Sequence, residues 1–471
     1  MIVGAGITGL AAARTVLSAK SDLELIILES SQRPGGLVET QRTEHGLLIE
    51  HGPDSFVGRG VVEEFVHQTI PSDATLPLMQ PLHTYIARGE TLHLVPRGMI
   101  SMSPVDPWQL LASGLFSASG KLRMAMDRWV PPLGAVDPEQ SVEAFFSRRF
   151  GRELVARLVG PLLGTIYHTP VDRLSMQAIL PSLLRYEREH GSVTAGIRAA
   201  TRQESPTHRA PSFRTLREGM ATLTDRLAEI LSSHINYSTS VKRVTRAARG
   251  RLQLELGIDG SLLADAVVLT TPSYATARLV ENLDSDLADL LGGVRHSSQC
   301  AWSFAWHRHE VPHPMQGTGF IIAADEPRTL RGCTWSSAKW AGRAPKDNVL
   351  IRCFLDANDA EPDASLRSCV LEDLRQLMGI EAAPYFSQVR RRSRLLPRYE
   401  VGHPSRVSAI MRRAAALDGI YLAGNTYHGV NLATCIESGH QAALSALRVT
   451  TSHRRQPRAT SGFCASQGAV L

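Results

Sequence analysis

Met1-Ile-Val-Gly4-Ala-Gly6-Ile-Thr-Gly9-Leu-Ala-Ala-Ala-Arg14 is the stretch whose reading decides the fold. An apolar run enters it, Gly4, Gly6 and Gly9 stand in G-x-G-x-x-G spacing, and an alanine-rich helical run leaves it through Leu17. Gly4 permits a tight turn, Gly6 lets the backbone approach a pyrophosphate, and Gly9 lets the helix pack close to the strand. The helix N-terminus then offers free N–H groups and a positive dipole end to phosphates. Only Met1–Val3 precede Gly4, against about five or six residues in an ordinary strand; this points to a start upstream of Met1.

The next apolar run, Leu23–Leu28, ends in Glu29, 20 residues beyond Gly9. A carboxylate at that distance accepts hydrogen bonds from the adenosine ribose. Arg33-Pro34-Gly35-Gly36-Leu37 follows. A Gly-Gly pair just past the ribose acid reads as a loop laid along a flavin dinucleotide, although such a triplet also marks ordinary turns. Glu50-His51-Gly52-Pro53-Asp54-Ser55 is a second turn, placed to bring backbone groups to a flavin ring. His51 and Asp54 are open to catalysis, but an Asp that caps its own backbone is the favoured reading.

A chain of 471 residues suggests two or three domains. Hydrophobic residues make up 43% and charged residues 20%, which supports sizeable cores. The net charge is +6, with scattered arginines. This fits a basic enzyme or one drawn to anionic lipid, and no nucleic-acid module is present. Six cysteines without a C-x-x-C pair fit free thiols in a reducing compartment. No cysteine–histidine cluster has metal spacing, and no run is long and apolar enough to cross a membrane.

Helices are expected over 107–116, 120–128, 141–150 and 152–163. Phe145, Phe146 and Phe150 share one face, read as core rather than membrane surface. Residues 187–211 read as a flexible loop. Strand-like runs at 235–237, 241–245, 252–256 and 265–272 suggest that the first sheet resumes after a long insertion. Those at 298–307, 319–323, 331–336, 349–355 and 388–395 suggest a second sheet, joined by a hairpin over 85–95. A strand over 419–424 precedes a loop and a helix with Asn431 as N-cap, whose dipole would stabilise a reduced flavin. Cys435 reads as a packed thiol rather than a covalent flavin tether. The tail, 450–471, reads as disordered.

Ala423-Gly424-Asn-Thr-Tyr427-His-Gly429-Val430-Asn431-Leu432-Ala-Thr-Cys435-Ile436-Glu437-Ser438-Gly439 resembles the protoporphyrinogen oxidase family. So do Gly4–Phe56, Pro161–Leu183 with its Leu-Ser-Met element, and Phe213–Leu223. The resemblance implies an α/β fold: a doubly wound, Rossmann-like FAD-binding domain, a mixed-sheet substrate domain and an inserted helical domain. In this chain these would be 1–85, 213–295 and 396–449 for FAD, 86–105 and 296–395 for substrate, and 106–212 for the insertion. The implied activity is oxidation of protoporphyrinogen IX or coproporphyrinogen III to the porphyrin, with molecular oxygen as acceptor and hydrogen peroxide released.

Carried onto this chain, Gly4, Ala5, Gly6, Ile7, Thr8 and Gly9 hold the pyrophosphate and Glu29 the ribose. Arg33, Gly36, Leu37, Gly52, Pro53, Asp54 and Ser55 follow the dinucleotide to the flavin. Val241 meets adenine by backbone hydrogen bonds; Gly424, Val430, Asn431 and Leu432 lie at the flavin end. The resemblance names no catalytic residue and no metal. Where relatives carry a propionate-binding arginine this chain has Thr84, which loosens the case for protoporphyrinogen. A cytoplasmic protein is expected, with a homodimer left open; the aromatic, Leu and Met residues of 108–126 beside Lys121, Arg123 and Arg128 read equally as a peripheral membrane surface or as a helical cap over the substrate pocket. A flavin amine oxidase or carotenoid desaturase of the same fold, and a non-catalytic FAD-binding scaffold, are the rival readings.

Overall fold

Short runs rich in branched apolar residues build the central layer. In the computed structural model, which describes residues 1–19, 23–58, 60–133, 139–203, 213–257, 260–356 and 362–455, five such runs form one parallel sheet. Its spatial order is Ile235–Asn236, Ile27–Leu28, Ile2–Val3, Val267–Leu269, Ile420–Leu422. The strand Ile2–Val3 is two residues long yet paired on both sides, Ile2 facing Ile27 and Val268. The run expected over 23–28 is regular only at Ile27–Leu28. Strands buried on both faces read as continuous apolar runs, as the three inner ones, Ile27–Leu28, Ile2–Val3 and Val267–Leu269, do.

The helix Ile7–Ser18 leaves the first strand, and the long helix Leu432–Arg455 lies across it. Small residues let the two backbones approach: a Cβ on Gly439 would meet the Thr8 carbonyl oxygen at 2.2 Å. This long helix runs through Arg455, so 450–455 are helical rather than disordered; the rest of the expected tail lies outside the described residues. The runs Val241–Arg246 and Leu252–Leu256 do not join the parallel sheet. They form a separate antiparallel sheet with Ser261–Ala264.

The second sheet has seven strands, ordered Phe386–Pro397, His296–His307, Asn348–Asp356, Leu330–Thr334, Gly319–Ile322, Thr84–Arg88, Thr91–Leu94. It is mixed, because Gly319–Ile322 runs parallel to Thr84–Arg88 while its other pairs are antiparallel. Side chains alternate across it. Trp302, Phe304 and Trp306 pack with Leu366, Val370 and Leu374 of the helix Asp363–Met378 on one face. Gln299, Ser303, Arg352 and Phe354 point to the other, where the cavity lies.

Helices over 107–203 cover that cavity. Phe145, Phe146 and Phe150 are fully buried in their core, as expected of packing residues. Of 187–211, expected as flexible loop, 187–190 and 193–203 instead belong to the helices Pro181–His190 and Val193–Gln203, joined by a two-residue bend; 204–211 lie outside the described residues. Polar composition hid the amphipathic pattern that buries Leu183, Val193 and Ile197. It also hid a buried network. The fully enclosed Arg149 donates to Asp127 Oδ1 (2.7 Å), the Gly191 carbonyl (3.1 Å) and Glu187 Oε1 (3.3 Å), while Ser192 and Thr194 donate to Asp127 Oδ2.

Candidate active site

One continuous cavity of about 1650 Å³ runs from the C-terminal ends of the parallel strands to the face of the seven-stranded sheet. Parallel α/β sheets bind ligands outside those strand ends. The volume exceeds the usual range for one small molecule, about 300–1,000 Å³, so a dinucleotide and a second ligand fit end to end. Of the residues expected to hold a dinucleotide, Gly4, Gly6, Ile7, Thr8, Glu29, Gly36, Leu37, Gly52, Pro53, Asp54, Ser55, Val241, Val430, Asn431 and Leu432 line it.

Ala5, Gly9, Arg33 and Gly424 stand behind this wall rather than in it. A Cβ on Gly9 would meet the Gly4 carbonyl oxygen at 1.9 Å, so Gly9 serves the helix–strand packing. Arg33 staples the Gly-Gly loop from behind, donating to the carbonyls of Gly36 (2.8 Å) and Val38 (3.2 Å). The Ala5 N–H donates to Glu29 Oε2 (2.7 Å), tying the two dinucleotide signatures together. Gly424 donates to Ser438 Oγ at 3.0 Å, fixing the loop to the helix it precedes.

The cradle suits a dinucleotide on three counts. Gly36 has φ +59, and a Cβ there would press on Gly6 Cα at 3.3 Å, so two bare glycines face each other where a phosphate chain would run. The helix Ile7–Ser18 has Gly6 as N-cap and no side-chain cap, leaving its first N–H groups for an anion. At the far end Asn431 Oδ1 accepts from the Thr434 N–H (2.9 Å), so Asn431 is the N-cap of the long helix, as read from the sequence. That helix end faces the cavity through Val430–Leu432. Cys435 also lines the cavity, but burial pushes its thiol up to about 11, which makes it a poor nucleophile for a covalent tether.

Asp54 does not cap its own turn. Its carboxylate accepts from Lys339 Nζ (2.7 Å) and Trp340 Nε1 (3.2 Å), both from the region of the second sheet. Burial opposes ionisation of Asp54, but the Lys339 ammonium outweighs it and holds the carboxyl well below its usual range. The self-capping expectation fails because a partner distant in sequence offers a full charge. His51 meets Gln41 Oε1 at 2.7 Å, and burial lowers its imidazole to about 4, so it stays neutral at pH 7. Arg352, buried, donates to the Gly52 carbonyl (2.9 Å) and fixes the same turn from below.

Against the second sheet and the helical unit the same cavity is a mostly apolar chamber. Leu162 and Ile166 of the helix Gly160–Tyr167, Phe320, Leu395 and Leu396 form much of its wall. Sequence reasoning did not find these residues, since nothing local marks them. Thr270-Thr271-Pro272, at the end of a parallel strand, also line the cavity; that position was the available signal. Thr84 lines the chamber too, its hydroxyl 3.0 Å from that of Thr318.

A dinucleotide cradle opening into an apolar chamber over a mixed sheet defines an FAD-dependent oxidoreductase. The chain belongs to the flavin-containing amine oxidoreductase family, whose pattern it matches over residues 7–447. It is 31% identical to a coproporphyrinogen III oxidase of Bacillus subtilis, covering 95% of this chain and 97% of that one. It is 26% identical to the chloroplastic protoporphyrinogen oxidase of Oryza sativa, over 94% and 87%. A solved structure from Exiguobacterium sp. 255-15, named as a candidate protoporphyrinogen oxidase, superimposes with a TM-score of 0.83 at 30% identity, covering 95% and 98%.

Proposed function

We propose that this chain oxidises a porphyrinogen to the porphyrin, as a tetrapyrrole-pathway enzyme. The observation that carries the reading is the broad apolar chamber continuous with the dinucleotide cradle, in a chain most of whose length matches porphyrinogen oxidases. A macrocycle needs wide apolar walls and solvent or donors at its rim for the carboxylates. FAD supplies hydride acceptance; the protein's part is to bind, orient and keep the site dry. In the proposed assignment Gly4–Gly9 and Gly36 hold the pyrophosphate, Glu29 the ribose, Val241 the adenine, and Gly52–Ser55 with Val430–Leu432 the flavin. The domain division proposed is the one stated above, with the parallel sheet as cofactor domain.

Three two-electron steps then release three hydrogen peroxide molecules per porphyrin. Coproporphyrinogen III is proposed as a substrate at least as good as protoporphyrinogen IX. Thr84 brings no charge to clamp a single propionate, which favours a more solvated rim. The test is aerobic kcat/KM for both porphyrinogens, read by porphyrin fluorescence and peroxide yield, with amines as controls. A tenfold preference for protoporphyrinogen, about 1.4 kcal/mol, would overturn the substrate choice; peroxide from amines alone would overturn the function.

The protein is proposed to be cytoplasmic, with peripheral membrane contact through the exposed Trp108, Leu111, Leu122 and Trp129. These residues do not line the cavity, which argues against a cap over the substrate. A homodimer through the same face is the competing occupant, separable by sedimentation without lipid. Among the described residues no helix is long and apolar enough to cross a membrane.

A further inference from the structure

Two of the polar side chains that line the chamber, His168 and Gln299, touch each other, and the backbone is irregular at the first and in the strand paired with the second. His168 follows the helix Gly160–Tyr167 with φ +47 and ψ +40, a left-handed conformation that a side-chain-bearing residue adopts against strain. Gln299 sits where the sheet slips register: Ser297 faces Leu396 but Gln299 faces Arg392, and Arg394 in the slipped segment is carried to φ +50. Irregularities of this kind beside active sites re-aim a side chain. Both line the cavity, and they meet across it, Gln299 Nε2 lying 2.9 Å from His168 Nε2.

With the amide nitrogen toward His168, that nitrogen donates, His168 Nε2 accepts as the Nδ1–H tautomer, and Oε1 is left as the acceptor. A porphyrinogen joins four pyrroles through saturated methylene bridges. It is therefore non-planar, and its four N–H donors converge. Inside an apolar chamber those donors need one central acceptor, because an unpaired buried donor is costly.

We propose that Gln299, held by His168, is the acceptor on which the converging pyrrole N–H groups of the porphyrinogen dock. Gln299 thereby sets which face of the macrocycle meets the flavin, and His168 is a positioning residue acting through it. The flat porphyrin product keeps only two N–H groups, so the same acceptor grips substrate more than product. This inference rests on the porphyrinogen reading above.

The test uses the full FAD-loaded chain and coproporphyrinogen III, with kcat, KM, flavin absorbance and melting temperature for each variant. Gln299→Leu is expected to keep the flavin spectrum and raise KM about tenfold or more, the scale of a lost specific hydrogen bond. Gln299→Glu keeps an acceptor and is expected to stay within about threefold. His168→Gly relieves the strained backbone, so melting temperature holds or rises while KM increases. The double variant should be no worse than Gln299→Leu, as residues acting as a unit are non-additive. A Gln299→Leu KM within about twofold of wild type, or equal losses for Leu and Glu, overturns the proposal. If Gln299→Leu fails to take up FAD, the decision passes to the other two: a glutamate variant near wild type with a stable, high-KM His168→Gly supports the proposal, and any other pattern overturns it. A wild-type chain that does not oxidise porphyrinogen overturns the functional reading beneath it, a separate outcome from failure of the variants.

Discussion

At Gly6 the nearest atom to an added Cβ is Gly36 Cα at 4.0 Å, so a side chain there has room in the protein but occupies the proposed phosphate path. Gly6→Val is therefore expected to fold and to purify colourless; a full flavin absorbance spectrum would remove the loop from the cofactor site. His51 and His403 set a different, pH-dependent effect. Burial lowers each imidazole from 6.5 to about 4. As pH falls, the unfolded chain takes up these protons first, so stability is full above about pH 6.5 and is lost down to about pH 4. By linkage each group costs up to about 3 kcal/mol at the end of that window. Glu50, raised by burial, offsets part of the loss, since there the folded chain protonates first. Melting temperatures across pH 7.5 to 4.5 should fall, and fall less in His403→Gln; a flat profile would contradict the burial of these rings.

Elements whose cause is local were legible in the sequence. The helix that starts after the glycine turn and the Asn431 cap each follow from a few neighbouring residues, and both elements form where they were read. What was hidden is held by distant partners. Asp54 was read as capping its own turn because Lys339 lies 285 residues away. The chamber wall comes from helix and strands far apart in sequence, with no spacing to announce it. Helices over 187–203 looked like loop because their polar residues are spent on a buried ion network, which composition cannot distinguish from solvation. That network gives a prediction for this helical unit. Arg149→Met would leave Asp127 buried without its cation, while Glu187 keeps Arg148 (2.7 and 3.0 Å), a loss of about 3 kcal/mol. Denaturant unfolding should show it; FAD binding should survive under native conditions, since Arg149 does not line the cavity. An unchanged midpoint would mean that Asp127 finds another partner.

Over the whole molecule, the helical unit has an inner side lining the chamber and an outer side carrying exposed apolar residues. Trp108 is 78% exposed, Trp129 73% and Leu122 68%. Single exposed apolar residues are ordinary; it is their grouping on adjacent short helices that supports the contact surface proposed above. The cations read beside it from the sequence are not all available. Arg123 is spent on the carbonyls of Arg148 and Arg149, and Lys121 donates to the Leu111 carbonyl (2.8 Å), leaving Arg128 exposed. Each basic residue near an anionic surface contributes about 1 kcal/mol, whereas the tryptophans and leucines bury area whatever the lipid charge. Vesicle binding by the wild-type chain should therefore weaken only slightly between low and high salt, and collapse in Trp108→Ser/Trp129→Ser with porphyrinogen oxidation in detergent unchanged. Binding abolished by salt but indifferent to the tryptophans would show an electrostatic contact instead. Self-association without lipid that the same double change removes would assign this face to a second copy of the chain.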